Sequence, residues 1–140
     1  MINFIVADDF QARREAIRDL LKSRIRQEIG EDALGIMCAD PNETLRQIAK
    51  LGTDLRLVVL DIDFENDVLG GGLRVLNEMP SEYRRLVVVF SGRLAKMTRE
   101  GRTVRDELAI IPDLTAGQIV DVLSGSAALW SSCLEVLGRR

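Results

Sequence analysis

RLVVLDI (residues 56–62) passes through four consecutive apolar side chains and meets a carboxylate, Asp61, where the run stops. A short unbroken apolar run with valines at its centre fits a strand covered on both faces, as in a parallel sheet with helices on either side. RLVVVF (85–90) repeats the pattern and ends in Ser91-Gly92. Between the two, Leu73, Val75, Leu76 and Met79 predict a short helix stopped by Pro80. Gly70 to Gly72 are expected to form a flexible turn, because no Gly-Lys-Ser/Thr follows them.

Working outward, NFIVA (3–7) predicts a first strand, and residues 8–29 keep helical spacing through Ala12, Ile17, Leu20, Leu21 and Ile25 up to Gly30. ALGIMCA (33–39) predicts the second strand. Asp40, Pro41 and Glu43 then start a helix carrying Leu45, Ile48, Ala49 and Leu51. Downstream, LAII (108–111) before Pro112 is expected as a fifth strand. Thr115 and Gln118 can form a capping box for a long last helix through Ile119, Val122, Leu123, Trp130, Cys133, Leu134 and Leu137. The alternation predicts an α/β, flavodoxin-like (βα)5 doubly wound parallel sheet of strand order 2-1-3-4-5 with an extended C-terminal helix. We expect one domain over residues 1–140, with a core at 2–123 and a helical extension at 124–140.

With 46% apolar and 29% charged residues, the composition is that of a folded globular chain. The start MINFIVADD meets two aspartates by residue 9, which suits neither a secretion signal nor a membrane span, so a cytoplasmic location is expected. The chain has no histidine, which excludes a phosphohistidine donor, histidine-based hydrolysis and the usual zinc sites. Cys38 and Cys133 lack CxxC spacing and read as small buried hydrophobes. A net charge of −3 argues against general affinity for nucleic acid.

In such a sheet the functional crevice lies beyond the carboxyl ends of the strands. Asp8, Asp9, Asp61 and Ser91 finish strands there. Carboxylates ~4 Å apart repel by roughly 4 kcal/mol per pair at an effective dielectric of about 20. A hard divalent cation such as Mg2+ would relieve that repulsion. The plainer alternative is that Asp8 or Asp9 caps the first helix and Asp61 merely ends a strand.

On these residues the chain resembles the receiver domains of two-component response regulators, over residues 2–123. Asp8-Asp9 after FIVA is similar to the family's metal-binding pair, and Asp61 after LVVL to its phosphoacceptor. Ser91-Gly92 is similar to the hydroxyl residue and small neighbour after the fourth strand. The resemblance implies Asp61 as nucleophile, Ser91 as a phosphoryl contact, and Mg2+ held by Asp8, Asp9, Asp61 and the backbone carbonyl of Asp63. It also implies a histidine kinase or other signalling protein as partner, and a signalling module instead of an enzyme. The family's lysine before a proline is missing, since Ile111 precedes Pro112. Arg93 or Lys96 could stand in for it. Asp63, Glu65 and Asp67 would add negative charge beside the pocket. The alternatives are a degenerate pseudo-receiver that is never phosphorylated, and a DxD-type metal-dependent phosphohydrolase built on Asp61 and Asp63.

Arg93, Lys96, Arg99, Arg102 and Arg105 fall at three-residue spacing with no aromatic residue to stack on bases. They read as a solvated strip or a dock for an acidic protein. Trp130 and Leu134 lie on the expected overhang of the last helix and would need cover, which predicts a homodimer or hetero-partner through that helix.

Overall fold

A computed structural model describes residues 1–64 and 70–138. Five parallel strands form one sheet in the order β2-β1-β3-β4-β5, so the expected doubly wound, flavodoxin-like topology holds. In chain order the elements are β1 (Ile2–Ala7), α1 (Gln11–Arg24), β2 (Ala33–Cys38), α2 (Pro41–Leu51), β3 (Leu55–Asp61), α3 (Gly71–Glu78), β4 (Val87–Ser91), α4 (Val104–Ala109), β5 (Ile119–Asp121) and α5 (Ser126–Leu137).

Strand alternation sorts the core into two layers. Ile5, Ala7, Val58, Leu60, Val87 and Val89 face Ile48 of α2, Val75 and Leu76 of α3 and Leu108 of α4. Phe4, Val6, Leu57, Val59, Val88 and Phe90 face Ile17 and Leu21 of α1 and Leu129, Trp130 and Cys133 of α5. With both faces covered, the middles of β3 and β4 need apolar residues on both sides, which is why residues 57–60 and 87–90 are apolar without interruption. The α2 start forms as its sequence dictates, with Asp40 accepting from the Glu43 N–H at 2.8 Å and Pro41 in the first turn.

Three expectations change in the structure. LAII is not a strand: residues 104–109 are helical, because Thr103 caps the Asp106 N–H and Val104 and Leu108, four apart, turn inward together. The fifth strand is the three-residue β5, and the Thr115–Gln118 capping box closes a single tight turn before it. Gln118 is buried and its side-chain amide donates to the carbonyls of Arg84 and Val87, anchoring the start of β5 to β4. The last helix is therefore not one long rod. It begins after Gly125, whose φ of 87° a side chain would strain, and α5 spans only the 12 residues needed to cross the sheet.

Trp130 is 5% exposed and packs against the sheet within its own chain, while Leu134 stays exposed. The overhang from which a partner contact was expected does not exist. The glycine turn also changes character, since Gly71 and Gly72 open α3 instead of forming a free loop.

Candidate functional site

The carboxyl ends of β1 and β3 bring the acidic residues together. Asp8 follows β1 and is fully buried, its N–H donating to the Cys38 carbonyl at 3.1 Å. Asp61 is the last residue of β3 and is 2% exposed. Asp8, Asp9 and Asp61 each place one carboxylate oxygen within 4.8 Å of the others, a group that could hold a metal ion. Asp8 Oδ1 also accepts from the Phe10 N–H at 2.8 Å just before α1, but Phe10 is the N-cap and no side chain caps the helix, so the plainer capping role is not seen.

Arg13, in the first turn of α1, is the residue that strand-end reasoning misses. Its Nη2 donates to Asp8 Oδ1 and to Asp61 Oδ2, both at 3.0 Å, and its Nε donates to Asp8 Oδ2. The guanidinium thus bridges two buried carboxylates from neighbouring strands. Its carbon lies 5.8 Å from the Phe10 ring centroid and 5.6 Å from that of Phe90, close enough for both ring faces to favour the cation. Arg14 adds a donor to the Asp8 carbonyl at 2.7 Å.

The Arg13 charge does not offset the burial of Asp61. Burial pushes the Asp61 carboxyl up to about 7, and Asp8 adds to the rise. The Asp63 N–H at 2.9 Å and the Arg13 charge oppose it without overcoming it. The Arg13 guanidinium is itself held more firmly protonated, chiefly by its hydrogen bond to Asp8. The ion pair and the raised Asp61 value are compatible, because Arg13 makes two hydrogen bonds to Asp8 against one to Asp61 and its one positive charge is shared.

Ser91, at the end of β4, lies in the same crevice, but its hydroxyl donates to Asp63 Oδ2 at 2.8 Å. The Arg93 N–H donates to Ser91 Oγ at 2.9 Å. Asp63 Oδ1 is buried with no hydrogen-bond partner among the described residues. Gly72 is required here: a Cβ on it would lie 2.4 Å from Ile62 Cα and 2.8 Å from the Asp61 carbonyl oxygen, so α3 closes onto this turn only through a glycine.

The segment compared with the family's lysine position moves. Ile111 and Pro112 precede β5, so they lie at the amino end of the parallel sheet, opposite the acidic cluster. The residues that follow β5 on the cluster's side, Val122, Leu123, Ser124 and Gly125, include no cation. Arg93 and Lys96 are exposed, and among the described residues neither forms an ion pair with Asp61. The pocket's cation comes instead from α1. Glu65 and Asp67 lie outside the described residues.

The basic strip is not a helix face. Residues 93–103 form turns, with a bridge between Met97 and Thr103, and Arg105 alone of the five belongs to α4. All five side chains belong to exposed residues, and Arg102 pairs with Glu107 at 3.1 Å. Among the described residues no helix is long and apolar enough to cross a membrane.

No protein-family profile matches the chain, and no curated protein matches it. Among solved structures it is similar to a fusion containing the trimeric coiled coil of yeast Spc42, with a TM-score of 0.65 and 13% identity, over 97% of this chain and 78% of that one. At that identity the likeness is one of fold alone.

Proposed function

We propose that this chain is a receiver-type signalling module that acts by contact with a partner protein in the cytoplasm, with Asp61 as a conditional phosphoacceptor. The observation that carries the reading is the meeting of Asp8, Asp9 and Asp61 at the carboxyl ends of adjacent strands. Three hard oxygen donors suit a small divalent ion, and the orphaned Asp63 Oδ1 marks unmet demand for positive charge beside them. Asp8, Asp9, Asp61 and the Asp63 carbonyl would hold Mg2+, which when bound supplies positive charge against the oxygens of an incoming phosphoryl group.

In the resting arrangement both Asp61 oxygens accept hydrogen bonds, one from the Asp63 N–H and one from Arg13. Attack therefore needs Arg13 to release Oδ2. That oxygen then forms the bond to phosphorus as the donor's P–N bond breaks, and the departing imidazole nitrogen keeps the electron pair and takes a proton. A phosphoryl group on Asp61 would compete with Asp63 for the Ser91 hydroxyl. Because the Arg93 N–H is tied to the same hydroxyl, the exposed basic segment that begins at Arg93 is the surface through which the change would reach an acidic partner. Trp130 is buried within its own chain, which weakens the case for self-association through α5 and favours this segment as the partner surface.

A second reading has an observation of its own. The Arg13 bridge and the Ser91–Asp63 hydrogen bond satisfy the groups a phosphoryl site needs free, which suits an interaction module that is never phosphorylated. Incubation with Mg2+ and acetyl phosphate, followed by intact-mass measurement of the parent and Asp61→Asn, separates the readings. One added phosphoryl group confined to the parent supports the conditional receiver. No addition at any Mg2+ concentration supports the unphosphorylated module, and steady multi-turnover release from varied phosphoesters supports a phosphohydrolase.

A further inference from the structure

Arg13 does more than neutralise charge, given where it sits and how it is held. It contacts Asp8 and Asp61, two of the three carboxylates whose oxygens converge. A small divalent ion takes its oxygen ligands at about 2.0–2.1 Å in a tight shell. An oxygen that already receives a guanidinium N–H is less available to that shell. The guanidinium and the ion therefore compete for the same place.

The side chain can leave. It is 38% exposed while the Asp8 and Asp61 side chains are buried, so one side of it already faces water. It also lines a cavity of about 280 Å3 between α1 and α5, bounded by Ala16, Ile17, Leu20, Phe90 and Leu129, into which its apolar stem can swing. Its stacking on Phe10 and Phe90 is weak beside a charge pair. The departure of Arg13 leaves Asp8 Oδ2 and Asp61 Oδ2 open together, while the two Oδ1 atoms keep their backbone donors.

We infer that Arg13 is a tethered cation that occupies the Asp8–Asp61 site and has to be displaced before a divalent ion can bind, making it the residue that sets the site's affinity for the ion. This rests on the reading of Asp8, Asp9 and Asp61 as a cation-binding set. Removing the competitor frees the carboxylates from charge-assisted hydrogen bonds, which corresponds to about tenfold or more in affinity.

Calorimetric titration of Mg2+ into the parent and into Arg13→Gln, with far-UV circular dichroism to establish that the variant is folded, gives the first readout. Arg13→Gln binding Mg2+ at least about tenfold more tightly than the parent is the expected result. Measurable binding in the parent with equal or weaker binding in Arg13→Gln overturns the tethered-cation inference and leaves the cation site standing. Failure of both to bind overturns the site reading and this inference with it. Should Arg13→Gln not fold, the parent carries the test through the NMR signal of the Arg13 Nε–H: Mg2+ should abolish its hydrogen-bonded shift, and an unchanged signal at saturating Mg2+ overturns the inference.

Discussion

Asp61→Asn should flatten the dependence of stability on pH. In the folded chain the Asp61 carboxyl holds its proton up to about pH 7, against an ordinary value of 3.8, mainly because it is buried. Between those values the folded state binds more protons than the unfolded state, so stability falls as pH rises and the loss is complete only above about 7. About three pH units at 1.36 kcal/mol each set an upper bound of ~4 kcal/mol on the whole effect, of which roughly 3 kcal/mol falls between about pH 5 and about pH 8. Asparagine is neutral at every pH and keeps an oxygen for the Asp63 N–H, so its stability carries a roughly constant offset from the parent's protonated form and none of the slope. The diagnostic is therefore the slope and not the absolute stability. Urea unfolding across this range should show the parent losing stability relative to Asp61→Asn as pH rises. Parallel curves for the two proteins would refute the reasoning, because they would mean that Asp61 has the same proton affinity folded and unfolded.

Ser91→Ala strips Asp63 of the donor to its Oδ2 while its Oδ1 is already orphaned, so denaturant midpoints should report a loss of about 1–3 kcal/mol. Gly72→Ala drives a methyl into the backbone of Asp61 and Ile62, and a loss of about 1–3 kcal/mol should appear in the thermal melt with weaker acetyl phosphate labelling of Asp61. Trp130→Ala empties the layer between α5 and the sheet and should cost about 3–5 kcal/mol, with no change in the mass measured by light scattering.

Much of the fold is written in β3 and β4, whose uninterrupted apolar residues can satisfy only a strand buried on both faces. The same burial makes Asp61 conspicuous, since a carboxylate closing such a strand needs a reason. The region after Ser91 was less legible. LAII has strand composition, and the competing signal, Thr103 three residues before Asp106, is short and polar and easily outweighed by four apolar residues. The true β5 is three residues long and draws its place from Gln118 bonding to β4, a tertiary contact with no local periodicity. Composition marked out the pocket's acids but not its cation. Arg13 and Arg14 do leave a trace: α1 has no acidic residue in its first turn, where the helix dipole favours anions, and carries cations there instead. Basic residues at that end call for nearby carboxylates, and Asp8 and Asp61 supply them.

The rise that burial imposes on the Asp61 carboxyl, and that Arg13 does not cancel, can be read directly by following its side-chain carboxyl carbon by NMR in the selectively labelled parent protein as pH is varied. A midpoint at about 7 is what incomplete compensation by Arg13 requires. A midpoint at the ordinary 3.8 would contradict it, showing that one guanidinium is enough to settle the pocket.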